Sequence, residues 1–232
     1  MLARLEQDAA LLSEAKLERA THALLILPKT AKGAPLPQVA FADALRAALK
    51  RRGKKAEDLA KTPIAVDLPH GALAVWLMLD TTQSAFEQQS AVRKGLQLLL
   101  AEKPGEITIG VFGNAEQRRR AAELAVYSAW INGVALPQRK KKNEEKPLRC
   151  IRLHGHRAAD AYAGLRAQAG GNTLCRELTV LPPNELTPGA YRERIRTLAR
   201  DHGWEREEYD LMKLRKMGAG AFVAVAQGSA EN

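Results

Sequence analysis

Short apolar runs alternate with amphipathic segments along the first 155 residues of the chain. His22–Leu27 is a continuous apolar run closed by Pro28, which is typical of a buried strand. Apolar residues recur at helical spacing over Phe41–Lys50, which predicts an amphipathic helix that ends at Gly53. Alternation of strands with helices of this length indicates an α/β fold, with a mostly parallel sheet flanked by helices.

The elements that follow obey the same pattern, with Ser84 and Glu87 spaced as a capping box and Asn114 placed as an N-cap. The first two runs, Ile64–Leu68 and Ala72–Leu79 around Pro69-His70-Gly71, predict a hairpin or closely joined strands. In chain order, the next predicted elements are a helix over Ser84–Glu102, a strand over Ile107–Phe112, a helix from Asn114 to about Gly133, a strand over Arg149–Leu153, and a helix over Ala158–Thr179 that Gly170-Gly171 interrupt.

Both ends of the chain carry further patterns. Residues 1–20 place apolar side chains at roughly helical spacing and predict an amphipathic segment. Residues 174–232 predict a helix, a Pro182-Pro183-Asn184 turn, a second helix capped by Thr187, a strand, a short helix, a glycine hinge and a strand over Phe222–Ala226. That last strand would lack partners in this chain, so we expect it to be poorly ordered or paired with another chain.

Composition describes an ordinary globular protein with a basic excess. Hydrophobic residues make up 46% and charged residues 27%, which excludes wholesale disorder. No apolar run approaches the ~20 residues that cross a bilayer, and the N-terminus lacks the apolar core of a secretory signal. Two cysteines in 232 residues favour a reduced, cytoplasmic compartment.

Few side chains suggest chemistry. His154 and His156, in an H-G-H sequence, could share a metal ion, but no third ligand accompanies them, so we interpret them as ordinary polar residues. Cys150 and Cys175 are interpreted as buried small apolar residues. Phosphate-loop, nucleophile-elbow and H-E-x-x-H motifs are absent, so the sequence itself contains no complete active site.

The basic excess, 36 Lys and Arg against 26 Asp and Glu, is concentrated in three clusters. If these clusters converged on one face of the protein, they could contact the phosphates of a nucleic acid duplex. If they do not converge, they are solvated helix ends and a loop. Aromatic residues make up 5%, which does not support stacking on single strands. The clusters are Lys50-Arg51-Arg52 with Lys54-Lys55, Arg118-Arg119-Arg120, and Arg139 to Lys142.

The stretch from Leu174 onward resembles the leucyl aminopeptidase (cytosol aminopeptidase) family, the two-metal exopeptidases of peptidase family M17. Three motifs carry the resemblance, in the family's order: Leu181-Pro182-Pro183-Asn184 with Thr187-Pro188, Leu214 with Met217-Gly218-Ala219, and Val225-Ala226-Gln227-Gly228-Ser229. The resemblance implies a macro-like N-terminal α/β domain over 1–156, a linker helix over 157–180, and the start of the catalytic domain over 181–232.

The resemblance also implies an activity for the complete enzyme, which would remove N-terminal residues from peptides with two divalent ions (manganese, zinc or magnesium). Its metal-binding and catalytic residues are expected downstream of residue 232. No catalytic, metal or substrate-binding residue is therefore assigned here, and we expect the 232 residues alone to bind no metal and to be inactive. A cytoplasmic homo-hexamer is further implied. The alternatives are a non-catalytic DNA-binding or assembly module, since some family members bind DNA, and a paralogue that lost its catalytic half.

Overall fold

A computed structural model describes residues 1–37, 39–139 and 146–228. It divides into two compact units, residues 1–177 and 178–232. Within the described residues, no helix is long and apolar enough to cross a membrane.

The first unit is built on a six-stranded sheet whose order is β1-β6-β5-β2-β4-β3. All neighbouring pairs are parallel except β3 and β4, which are antiparallel at one edge. The strands are β1 (Arg4–Asp8), β2 (His22–Pro28), β3 (Ile64–Asp67), β4 (Leu73–Leu79), β5 (Glu106–Val111) and β6 (Cys150–His154).

Helices cover this sheet on both faces, which confirms the predicted α/β class. The helices are α1 (Glu14–Leu17), α2 (Ala42–Arg51), a 3-10 helix (Ala56–Ala60), α3 (Ala85–Leu100), α4 (Ala115–Asn132) and α5 (Ala163–Thr179). Apolar side chains of α3, α4 and α5 form one core with the sheet, whereas those of α1, α2 and the 3-10 helix form a second core on the opposite face.

Two predicted helix starts and the predicted hairpin are confirmed. The Ser84 hydroxyl accepts from the Glu87 amide at 3.3 Å, and the Asn114 side chain accepts from the Gln117 amide at 2.9 Å. Between β3 and β4, the Leu68 amide donates to the Ala72 carbonyl at 2.8 Å, and Gly71 takes a φ of 86° to close the turn.

The N-terminal prediction is wrong in its element type. Residues that read as a helical stripe instead form the edge strand β1, which pairs in register with β6 from Arg4 opposite Cys150 to Asp8 opposite His154. Only the short α1 is helical in this region. Pairing with a distant strand outweighs the local spacing, because each paired residue gains ladder hydrogen bonds that a marginal helix would not keep.

Helix α5 begins later than predicted and is continuous. Ala161 and Tyr162 have φ values of 48° and 58°, and this left-handed backbone cannot belong to a right-handed helix. The helix then runs through Gly170 and Gly171 without a break. Within the first unit, the Arg166 guanidinium of α5 lies over the Trp130 ring of α4, 5.6 Å from its centroid.

The second unit is helical throughout its described elements, α6 (Pro188–His202), α7 (Leu211–Lys216) and α8 (Gly220–Ala226). Thr187 caps α6 as predicted, accepting from the Ala190 amide at 3.2 Å. Both predicted strands are wrong: residues 204–210 have no regular structure, and Phe222–Ala226 lies in α8. A strand needs a neighbour for its backbone bonds, and the described part of this unit offers none, whereas a helix satisfies those bonds internally. Ser229 lies outside the described residues.

Candidate functional site

A crevice lies at the carboxyl end of β2, where connections to the two faces of the sheet diverge. The chain leaves β2 toward α2 on one face, and it leaves both neighbours of β2, which are β4 and β5, toward α3 and α4 on the other face. In open α/β sheets, ligands bind where adjacent strands send their connections to opposite faces. This position is therefore the first place to look for a site in the first unit.

Side chains fill this crevice. The Lys29 Nζ lies 2.6 Å from the Asp80 Oδ2, and Asp80 also accepts from the Thr82 amide at 3.1 Å and its hydroxyl at 2.7 Å. The hydrogen bond from Lys29, followed by those from Thr82, holds the pKa of the Asp80 carboxyl below its ordinary value. A cavity of about 10 Å³ remains, lined by Leu79, Phe112 and other residues. Such a volume holds about one water molecule, so this small cavity admits no larger ligand. A more open cavity of about 430 Å³ shares Thr81 and Gln117 with its lining.

A polar group lies at the neighbouring strand ends. Asp8 forms an ion pair with Lys16, and its Oδ2 lies 3.6 Å from the Nδ1 of His154. Burial, with Lys16 nearby, lowers the pKa of His154, so the imidazole is neutral at physiological pH. The hydrogen bond from Lys16 lowers the pKa of Asp8. This arrangement anchors α1 to the edge of the sheet.

A larger and open cavity of about 600 Å³ lies beside His156, with Arg119, Glu123 and Arg157 among its lining residues. The His156 and Tyr162 ring centroids are 6.2 Å apart. The Tyr162 hydroxyl is buried without a hydrogen-bond partner among the described residues, and burial raises its pKa. Burial lowers the pKa of His156. The lining mixes polar and apolar surface. Its two acids, Glu123 and Asp160, balance Arg119 and Arg157, so its charge favours no ligand class.

The structure separates the two histidines of the H-G-H sequence. His154 faces Asp8, whereas His156 lines the cavity beside Tyr162. Throughout residues 1–37, 39–139 and 146–228, no group of three or more His, Cys, Asp or Glu side chains is placed to hold a metal ion. We therefore assign the described residues no step of peptide hydrolysis.

The two cysteines differ in environment. Cys150 is buried as predicted, and burial raises the pKa of its thiol, which makes it a poor nucleophile. Cys175 is exposed on α5, so the prediction that it is buried is wrong. Its side chain lies outside the core that α5 forms with the sheet.

The two basic clusters that the structure describes in full lie on opposite faces of the sheet. The first, around Lys50–Arg52, lies at the end of α2, and the second, Arg118–Arg120, begins α4 on the opposite face of the sheet. Within the second, Arg119 pairs with Glu123 at 3.1 Å and Arg120 donates to Gln88 at 2.9 Å. Of the third, Arg139 is described, and Lys140–Lys142 lie outside the described residues. The condition for a shared phosphate-binding surface is not met by the two clusters that the structure describes.

The motif-bearing second unit is organised by hydrogen bonds and charge. In the turn, the amides of Glu185 and Leu186 donate to the Pro182 carbonyl at 2.9 and 3.0 Å. The Glu208 carboxylate forms ion pairs with three arginines, which we call the Glu208 hub. The guanidinium nitrogens of Arg192 and Arg196 lie 2.9 Å and 2.8 Å from a carboxylate oxygen, and Arg206 is the third partner. Hydrogen bonds from Arg196 and then Arg192 lower the pKa of Glu208 to about 2. This hub links α6 to the segment after it.

Sequence reasoning missed the Glu208 hub, although a signal for it was present. Arg192 and Arg196 are four residues apart and so share one face of α6, and an acidic run begins three residues after the helix ends. The Lys29–Asp80 pair was also missed. The pair follows from the β2–β4 register. Pro28 lies opposite Leu79, so Lys29 and Asp80, which come directly after them, meet at the carboxyl end of the sheet.

Comparison with known proteins shows what the second unit is similar to. The model of the cytosol aminopeptidase family, catalytic domain, matches residues 173–232. The match includes nearly all of the second unit. A probable cytosol aminopeptidase of Synechococcus sp. (strain CC9605) is 39% identical over 72 residues, which are 31% of this chain and 15% of the relative. That of Afipia carboxidovorans is 29% identical over 203 residues, which are 78% of this chain and 39% of the relative.

Similarity of fold to a solved structure extends over both units of this chain. A mutant of tomato leucine aminopeptidase shares 15% sequence identity, with a TM-score of 0.73 over 99% of this chain and 49% of that one. At this identity the likeness shows the fold alone. The chain thus spans less than half the length of these relatives.

Proposed function

We propose that this chain is the N-terminal portion of a leucyl-aminopeptidase-like exopeptidase, which releases N-terminal amino acids from peptides. The match of residues 173–232 to the family's catalytic domain carries the proposal. It is supported by the family's motifs at Leu181–Asn184 and Thr187-Pro188, which form the turn and the helix cap that begin α6.

In the complete enzyme, two divalent ions such as manganese, zinc or magnesium would activate water and polarise the scissile carbonyl. The residues of this chain would not take part in that chemistry directly. The macro-like domain over 1–156 and the linker helix over 157–180 serve assembly, substrate access or regulation, and residues 181–232 begin the catalytic scaffold. The enzyme is cytoplasmic and assembles as a homo-oligomer, a hexamer by family resemblance.

The test is reconstitution of activity with leucine p-nitroanilide as substrate. The remaining part of the catalytic domain, taken from the Synechococcus relative, is added to the 232-residue chain with manganese. Hydrolysis is expected from the mixture and not from either piece, and a chelator should abolish it. A mixture that forms a complex but stays inactive with manganese, zinc or magnesium would contradict the proposed function. Activity from the 232 residues alone would contradict the placement of the metal site elsewhere.

A further inference from the structure

An open cavity of about 640 Å³ lies at the amino end of the sheet in the first unit. It is bounded by the start of β1, the residues just before β6, the residues after α4 and the start of α5. Its apolar lining includes Leu2, Leu5, Val134 and Leu148. Sites for small molecules have this size and are mostly apolar, with a few polar groups that orient the ligand. The cavity therefore has the dimensions and the surface of a ligand site.

Hydrogen bonds fix the walls of this cavity. The Trp130 indole Nε1 donates to the Ala3 carbonyl at 2.9 Å, which ties the start of β1 to α4. The Arg4 amide donates to the Arg149 carbonyl at 2.9 Å, and the Arg149 amide donates to the Gly105 carbonyl at 2.9 Å. Because these bonds belong to the sheet and its flanking helix, the cavity is a built part of the first unit.

The charged groups of the lining are mostly basic. Arg4, Arg149 and Arg166 line the cavity, against the single acid Asp160. Arg4 pairs with Glu6 at 2.8 Å, whereas Arg149 has no ion-pair partner in the part of the chain that the structure describes. Three cations against two acids leave one positive charge (3 − 2 = 1). A guanidinium group binds a carboxylate through two parallel hydrogen bonds, so this charge suits a ligand with one carboxylate.

We propose that this cavity binds a small molecule that combines an apolar body with a single carboxylate. The apolar body would cover Leu2, Leu5 and Leu148, and the carboxylate would accept from Arg149. A multiply charged anion such as phosphate fits less well, because its remaining charge would be buried against apolar side chains without a partner. The inference concerns the first unit alone and does not depend on the proposed function.

Two sources supply this chemistry, a medium-chain fatty acid and the C-terminal end of an apolar peptide. Calorimetric titration of the 232-residue chain uses octanoate for the first and N-acetyl-leucyl-leucine for the second. We expect at least one of them to bind at one site per chain, and about ten-fold or more tightly than octanol, because a hydrogen bond to a charged group is stronger than one to a neutral group. Octylammonium and inorganic phosphate should bind more weakly by at least the same factor. The tighter carboxylate identifies the source.

Two variants with matched controls test the location. Ala163→Glu adds an acid to the lining at the first position of α5, where an acidic residue is favourable for the helix. Arg149→Gln removes the cation without an ion-pair partner. Each should weaken binding by about ten-fold. The controls are Ala167→Glu, one turn later on α5, and Arg157→Gln, because both residues are exposed and lie outside this lining. They should bind as the unchanged chain does.

Several results would overturn the proposal. They are no binding of either carboxylate, equally tight binding of octanol or phosphate, and equal binding by the cavity variants and their controls. Self-association of the chain that Ala163→Glu abolishes would also overturn it, because a second copy would then cover the cavity. Thermal unfolding of each variant shows whether the fold is kept, and Arg149→Gln, a change of an exposed side chain, decides the question if Ala163→Glu unfolds.

Discussion

The Lys29 ammonium and the Asp80 carboxylate join the carboxyl ends of β2 and β4, with Nζ and Oδ2 2.6 Å apart. Each residue directly follows the last pair of the β2–β4 ladder, Pro28 opposite Leu79. The Asp80 side chain is buried and Lys29 is about half exposed. The pair, together with Thr82, therefore lies at the carboxyl end of the sheet.

Replacing Asp80 should destabilise the first unit. Asp80→Asn removes the charge that accepts from Lys29 and weakens both bonds from Thr82, so we expect a loss of about 1–2 kcal/mol in the free energy of unfolding at pH 7. Urea unfolding followed by circular dichroism measures the change. Asp67→Asn is the control, because Asp67 is exposed and forms no ion pair among the described residues. Equal stabilities of the two variants would contradict the prediction.

The same pair should contribute to the pH dependence of stability. The folded-state pKa of Asp80 is lowered, so its contribution is present above the unfolded pKa of about 4 and is lost as the pH falls through the folded pKa. Unfolding measured between pH 5 and pH 2 should therefore show a shallower loss for Asp80→Asn than for the unchanged chain. If the free energy of unfolding fell with pH equally in both proteins, the Lys29–Asp80 pair would contribute nothing to the stability of the folded state.

Gly155 should tolerate no side chain. Its φ is 97°, and a Cβ atom there would lie 2.3 Å from the Val111 carbonyl oxygen, which is backbone and cannot swing away. We expect Gly155→Ala to lower the free energy of unfolding by at least about 2 kcal/mol. The substitution would combine a backbone conformation that alanine disfavours with a steric clash between the ends of β5 and β6. Thermal unfolding measures the effect.

A matched glycine serves as the control and should give the opposite sign. Gly171 lies inside α5 with open space around the position of a Cβ atom. Gly171→Ala should stabilise the chain by about 0.5–1 kcal/mol, because alanine loses less backbone entropy in a helix. Similar effects of the two substitutions would contradict the close approach at Gly155.

Most of the first unit could be predicted from its sequence because local signals and tertiary structure agree there. The continuous apolar run of β2 and the capping boxes at Ser84 and Asn114 each specify one element, and the sheet accepts all of them. Strand β1 could not be predicted, because its identity depends on β6, which follows more than 140 residues later. Nothing within residues 1–20 encodes that pairing.

In the second unit, the local preference of the sequence and the observed structure disagree. Phe222, Val223 and Val225 favour a strand by local preference, yet the described segment is the helix α8. The family motifs could still be read, because the turn at Pro182 and the cap at Thr187 are local features that need no partner. The charged hub at Glu208 could not be predicted in detail, since it depends on how the segment after α6 folds back onto that helix.

Glu208 should hold the segment after α6 against that helix. Glu208→Gln removes the charge that Arg192, Arg196 and Arg206 share, so we expect amide exchange over residues 204–210 to become severalfold faster at pH 7. Glu205→Gln is the control, because Glu205 forms no ion pair in the part of the chain that the structure describes. Equal exchange in the two variants would contradict the hub.

Acid should reproduce the effect of the Glu208 substitution. The folded-state pKa of Glu208 is about 2, below the unfolded value near 4.3. Its contribution to local order is therefore complete above the unfolded pKa, and it is lost as the pH falls through about 2. Nuclear magnetic resonance of the Arg192 guanidinium group should show bonded signals at pH 4 that disappear near pH 2. Arg192 is the probe because Arg196 also pairs with Glu193. In Glu208→Gln the same signals should be absent at both values, and their persistence in that variant would assign the bonds to another acceptor.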